Sequence, residues 1–334
     1  ATRAQVEVDL PAVAATMRAY LDQIAVVLRP GSVDNADLCL RSFATYLLGH
    51  HREVTCVRDI ARTLYADEHE QFRSAFRSWL DNEVVPHHEQ YERDGITPRE
   101  LWLAAGSHGF LGLTVPEPYG GGGTDDYRFA AVMQEEVSYT GVIGSANGFT
   151  LHNDIVLPYF IVLWNDEQKA RWLPGMVSGE RIGAIAMTEP NTGSDLANIR
   201  TTAVRHGDTY VVNGSKTFIT SGTRADFITT AVRTGGEGHG GISLLIIDTK
   251  TPGFSVTRKL DKMGWWASDT AELAFEDCRV PKENLIGAEN AGFLMIMMNF
   301  VSERLLLAGQ CVAIAELALR ETVAYSRERS AFGK

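Results

Sequence analysis

The chain has 334 residues, a formal net charge of −11, 45% apolar residues and 22% charged residues. That length exceeds what one core usually serves, so two or three domains are expected, and the acidic balance argues against general nucleic-acid binding. Cys39, Cys56, Cys278 and Cys311 form no CxxC pair, which speaks against a zinc site or a disulfide scaffold. No basic segment followed by an apolar core opens the chain. No apolar run approaches the ~20 residues that span a bilayer, so a soluble cytoplasmic protein without membrane contact is expected.

Residues 1–61 read as short helices. "LPAVAATMRAYLDQIAVVL" has helical apolar spacing, "RPGSVDN" breaks it, and "ADLCLRSFATYLLGHH" resumes it. Residues 62–183 stay helical. "ADEHEQFRSAFRSWLDNEVV" ends at Pro86, and "TPRELWLAAGSHGF" reads as a helix with a Thr97 cap and Pro98 at its first position. His87 and His88 are adjacent on a helix and face different ways, so no metal site is predicted. Over 184–284 the period falls to two. "TYVVNGSKTFIT" reads as two strands around an Asn213-Gly214 hairpin, followed by "FITTAVRT", "ISLLIIDT", "FSVTRKL" and "AELAFEDCRVP". Beyond Asn284 lies one long segment without proline, apolar on several sides, which predicts a buried bundle helix.

One stretch resists this reading. "AMTEPNTGSDLANIR" places a run of turn residues after the apolar "RIGAIAM". By itself it is a surface loop, or a loop whose hydroxyls and amides hold something polar. In order along the chain come "MTEPNTGSDLANIRTTA", "NGSKTFIT", "KMGWWASDTAELAFEDCRVPKENLIG", "ERLLLAG" and "RERSAFGK". This series resembles the acyl-CoA dehydrogenase family from about Arg62 to Lys334. The resemblance implies an α+β multidomain fold: a helical N-terminal domain over 62–183, an antiparallel, β-barrel-like middle domain over 184–284, and an incomplete C-terminal helical domain over 285–334. It also implies FAD as cofactor, an acyl-CoA substrate oxidised at Cα–Cβ to trans-2-enoyl-CoA, an electron-transferring flavoprotein as acceptor, and a homo-oligomer, a tetramer in the family.

The same resemblance assigns residues. Ile185, Met187 and Thr188 would lie along the flavin ring. Ser194 would touch flavin and substrate, and Phe218 and Thr220 would pack on the ring's other side. Arg329 would reach the flavin pyrophosphate of a neighbouring subunit, with Phe332 packed nearby, or is a cation that complements the C-terminal end of its helix. Glu303 in "VSERLLLAG" matches the base position of the long-chain and isovaleryl-type members, and its apolar flanks predict a desolvated carboxylate of raised proton affinity. Arg304 matches a position that contacts the CoA part of the substrate, or is a helix-surface charge. Val301 stands where many members carry Asp. Trp265 and Trp266 either line the pocket or pack.

Residues 1–61 are a helical extension outside this resemblance. "TMRAYLDQIAVVLRPGSVDNADLCLRSFATYLL" is similar to the N-terminal core-binding helices of tyrosine recombinases, though six arginines against seven acidic residues in 1–61 give poor footing for DNA. Two alternatives to the dehydrogenase stay open: a flavin oxidase of the same fold, and an inactive fusion or truncation remnant.

Overall fold

The computed structural model describes Val6, residues 8–25, Arg41, Ala44 and residues 65–330. The chain divides into two compact units, Ala1–Gln71 and Phe72–Lys334. In the first, helix α1 (Pro11–Ala25) contributes Val13 and Ala14 to a small apolar cluster with Val6, Leu10 and Ala44. Of the recombinase-like stretch, only residues 16–25, Arg41 and Ala44 lie among the described residues.

Helical layers come next along the chain, and the first of their helices begins before Phe72. Helix α2 (Asp67–Trp79) runs into a π-turn, Leu80–Val84, and Pro86 converts the chain to a 3-10 turn that leads directly into α3 (His88–Asp94). Helix α4 (Arg99–Ser107) starts one residue later than the sequence predicts, with Pro98 at the cap. Thr97 is not its cap: its hydroxyl and carbonyl both accept from the Arg224 guanidinium at 2.8 Å, a tertiary bond that outcompetes the local one. Helix α5 (Tyr127–Tyr139) is capped by Asp126, which accepts from the Arg128 amide. Helix α6 (Ile143–Leu151), a π-turn at His152–Val156 and α7 (Leu157–Leu163) form one continuous run, followed by α8 (Asp166–Val177) with an Asn165–Gln168 capping box. An aromatic cluster of Phe76, Trp79, Trp102, Phe110 and Phe149 fills the space between these helices.

An eight-stranded sheet follows: β1 (Gly183–Ala186), β2 (Thr202–His206), β3 (Thr209–Thr220), β4 (Phe227–Arg233), β5 (Ile242–Asp248), β6 (Phe254–Lys259), β7 (Thr270–Pro281) and β8 (Leu285–Ile286). The spatial order is β6-β7-β3-β2-β4-β5-β8, with β1 beside β4. The sheet is mixed rather than wholly antiparallel, because β1 and β2 each meet β4 in parallel. The Asn213-Gly214 hairpin does not form. These residues sit inside the single strand β3, and the β2–β3 hairpin turns instead around Gly207 and Asp208. At Gly214 the register with β7 slips, and Asn213 exchanges two hydrogen bonds with Asp277 across the bulge. Glycine is required there: φ is +148°, and a Cβ would stand 2.6 Å from Thr201 Cα.

Helix α9 (Gly292–Glu328) is a single 37-residue helix, and by length and apolarity it is long enough to cross a membrane despite Glu303 and Arg304 in its first half. The expectation of a buried helix is not met among the described residues. α9 packs on α5, where Tyr127 donates to Ser302 O and Tyr139 to Glu316, and on the π-turn at His152–Val156. Leu294, Met298, Val301, Leu305, Leu307, Val312 and Leu319 remain exposed. The reason is geometric: an all-round apolar helix needs neighbours on every side, and the elements that pack on α9, which also include α7 and β5, leave part of its circumference open.

Gly214→Ala should destabilise the second unit by about 2 kcal/mol or more, since both the backbone conformation and the approach of Thr201 reject a side chain. Urea denaturation of the two forms measures it.

Candidate active site

Strand β1 runs buried beside β4 and delivers Ile185, Met187 and Thr188 at its C-terminal end. There Thr188 O accepts the Thr217 amide at 3.0 Å, which ties this end to β3. Strand β3 slips its register with β7 a second time, between Lys216 and Ile219, and Phe218 takes φ +62°. An aromatic residue in that conformation costs roughly 1–2 kcal/mol and persists only where the surroundings impose it. Here the flanking β3–β7 pairs do so, and the Phe218 ring is left 67% exposed. The bulge turns Phe218 outward while Ile219 stays in the core. A cleft of about 170 Å³ results, lined by Leu151, Ile185, Met187, Thr188, Phe218, Ile219, Thr220 and Glu303.

Beneath this wall lies an ion pair that no sequence motif announces. Lys216 Nζ, fully buried, donates to Glu189 Oε1 at 3.0 Å and to Met187 O at 2.9 Å. The Glu189 carboxylate also accepts the amides of Arg200 at 2.6 Å and Thr201 at 2.9 Å. Burial pushes the Lys216 ammonium down to about 8. Burial alone would raise Glu189, but the Lys216 charge and the backbone donors hold it below the usual carboxylate range. One signal points to the pair: Tyr210, Val212 and Lys216 all stand at inward positions of β3.

Glu303 reaches the cleft from the other side, on α9. Its Oε1 accepts from Asn299 Nδ2 at 2.7 Å and from the Tyr159 hydroxyl at 3.4 Å. Burial raises its pKa above the ordinary glutamate value. The two hydrogen bonds and the Arg304 charge oppose this without cancelling it. A partly desolvated carboxylate of raised proton affinity is suited to accept a proton.

The sequence matches three successive descriptions: acyl-CoA dehydrogenase N-terminal domain over residues 66–180, middle domain over 184–278, and C-terminal domain over 290–334. The chain belongs to the acyl-CoA dehydrogenase family. It is 44% identical over 276 residues to the long-chain specific acyl-CoA dehydrogenase of Sus scrofa mitochondria, covering 82% of this chain and 64% of that relative. Among solved structures it superposes on an acyl-CoA dehydrogenase from Geobacillus kaustophilus with TM-score 0.79 and 48% identity, over 81% of this chain and 72% of that one. It also superposes on an acyl-CoA dehydrogenase of Bacillus anthracis complexed with FAD, with TM-score 0.75 and 33% identity, over 81% and 47%. This chain therefore spans just under two thirds of the long-chain relative's length.

Of the residues that the acyl-CoA dehydrogenase resemblance singles out, the structure gathers Ile185, Met187, Thr188, Phe218, Thr220 and Glu303 around one cleft. Ser194 lies outside its lining, exposed in the loop that follows Thr188. That loop is folded back by paired Glu189–Thr192 backbone bonds and by Thr192 Oγ1 on Asp195 O. Arg304 lies over the Phe300 ring at 5.2 Å, away from the cleft lining. Arg329 is exposed against Tyr325 at the end of α9. Phe332 lies outside the described residues. Trp265 and Trp266 are half exposed and do not line the cleft; the Trp266 amide is held by Glu92.

Lys216→Met leaves Glu189 buried without its counter-charge and should cost about 3–5 kcal/mol, whereas Lys216→Met with Glu189→Leu should recover most of that loss, as denaturant titration of the three proteins would reveal. Glu303 makes a second, pH-dependent prediction. Its folded pKa lies above the unfolded 4.5, so its contribution to stability is fully present below pH 4.5 and is lost as pH rises through the folded value. Glu303→Gln does not titrate. It should therefore be more stable than the parent at neutral pH, with the difference disappearing below about pH 4.5. Melting temperatures across pH 4–8 check this.

Proposed function

We propose that this chain carries the flavin-facing active site of an FAD-dependent acyl-CoA dehydrogenase that oxidises the Cα–Cβ bond of an acyl-CoA, with Glu303 as the α-proton base. The observation that carries the reading is the convergence of Glu303 from α9 with the β1 end and the Phe218–Thr220 bulge on one cleft. These residues fit a flavin. The Thr188 and Thr220 hydroxyls line the cleft and have no hydrogen-bond partner among the described residues, so both are available to donate to the polar edge of a ring. The exposed Phe218 offers an aromatic face beside them. Bound FAD would supply the acceptor for the hydride that leaves Cβ.

The chain's own residues account for the other half of the chemistry. Oε1 of Glu303 is occupied by Asn299 and Tyr159, and Oε2, without a partner among the described residues, is the atom that takes the proton from Cα. Partial burial in the cleft that Leu151 borders keeps that carboxylate a stronger base than one in water. Thr188 and Thr220 stabilise negative charge as it develops, because preorganised donors need no reorganisation during the step. The 44% identity to a long-chain enzyme supports long-chain substrates, and the family supports an electron-transferring flavoprotein as acceptor. The exposed apolar side chains of α9 support a homo-oligomer, and a cytoplasmic location belongs to the same proposal.

Anaerobic addition of acyl-CoA to the flavin-loaded protein should bleach its visible absorption. Glu303→Gln should stay yellow and bleach at least ~10²-fold more slowly, since a positioned base contributes about 10²–10⁴. Bleaching at near-parent rate in that variant overturns the assignment of the base.

A further inference from the structure

We propose that Tyr159 and Asn299 are positioning residues that pin one oxygen of the Glu303 carboxylate and leave the other for substrate. The inference rests on reading Glu303 as the base. It begins with an asymmetry: both donors converge on Oε1, at 2.7 Å and 3.4 Å, and Oε2 receives none among the described residues. A glutamate side chain has three rotatable torsions, and the last is broad and roughly two-fold. Two donors on a single oxygen restrict that torsion, so the free oxygen is presented in one orientation.

Each donor is itself fixed from a different element. Asn299 lies one turn before Glu303 on α9, where i and i+4 side chains meet. Its amide also reaches Ile155 O at 3.4 Å, in the π-turn His152–Val156. Such turns recur at functional sites, and here the turn carries a carbonyl to α9. Tyr159 is buried on α7 within the core that includes Phe160 and Trp164. Its burial and the nearby Glu303 charge raise its pKa well above the ordinary tyrosine value, so its hydroxyl stays protonated and can only donate to the carboxylate. The remaining charged and titratable groups are placed differently. Arg304 follows Glu303 in the chain, with its guanidinium over Phe300. Asp154 from the π-turn and Tyr127 from α5 border a separate cavity of about 110 Å³ beside Ser302. Neither Asp154 nor Tyr127 bonds to Glu303.

The two donors thus favour the charged carboxylate while burial disfavours it, and the balance sets how readily Glu303 takes a proton. Removing either donor should shift that balance toward the neutral form. Tyr159→Phe and Asn299→Leu keep side-chain volume and delete one donor each. In the chain labelled with ¹³C-carboxyl glutamate, the Glu303 signal is the one lost in Glu303→Gln, and its titration midpoint is read by NMR. Both variants are expected to raise that midpoint. In the flavin-loaded protein, both should slow bleaching by acyl-CoA roughly tenfold, with the acidic limb of the pH profile moved upward and KM little changed. An unmoved midpoint in both variants, or a slower rate with an unmoved acidic limb, overturns the proposal, and either variant alone decides it should the other not fold. Full bleaching by Glu303→Gln would instead overturn the base assignment while the NMR midpoints still test the positioning, so the two failures are told apart.

Discussion

The buried Lys216–Glu189 pair is the constraint on which the site is built. Lys216 spends its donors on Glu189 and on Met187 O, and Glu189 spends its oxygens on Lys216, Arg200 and Thr201. The pair thereby joins β3 to the end of β1 and to the segment entering β2. Two charges removed from water are tolerable only when every partner is in place. That requirement makes the relative placement of Met187, Thr188 and the Phe218–Thr220 bulge close to all-or-none. A hydrophobic pair would hold the layers together equally well, but it would not specify which backbone carbonyl meets which side chain.

The other side of the cleft depends on helix packing. Glu303 stands on a long apolar helix whose contacts with α5 and the π-turn bring it to Leu151 and the β1 end. The same packing that desolvates the carboxylate also supplies its hydrogen-bond donors, from Asn299 on α9 and Tyr159 on α7. The desolvation and the orientation of the Glu303 carboxylate are therefore set together.

Much of this is legible in the amino-acid sequence. Strand alternation and helical apolar spacing mark most elements, and the ordered motifs point to Ile185, Met187, Thr188, Phe218, Thr220 and Glu303, which share the cleft. Local signals mislead where a distant partner outbids them. Asn213-Gly214 carries strong turn chemistry, yet β7 pairs through it and Thr201 crowds the glycine, so a bulge forms in place of a hairpin. Thr97 has cap chemistry, yet the Arg224 guanidinium claims its oxygens. The apolar surround of α9 reads as burial, yet composition does not say which neighbours cover which face.

By itself the sequence determined the order of helical and sheet segments and the acidic character, because these follow from local periodicity and residue type, and its ordered motifs marked the residues that come to line the cleft. Only the tertiary structure decided that Lys216 and Glu189 neutralise one another, that Phe218 turns outward through a left-handed bulge, and that Tyr159 and Asn299 meet on one oxygen of Glu303. Each of these joins residues far apart in the chain or depends on a register slip. A hydrogen bond depends on distances of about 3 Å that no one-dimensional pattern encodes.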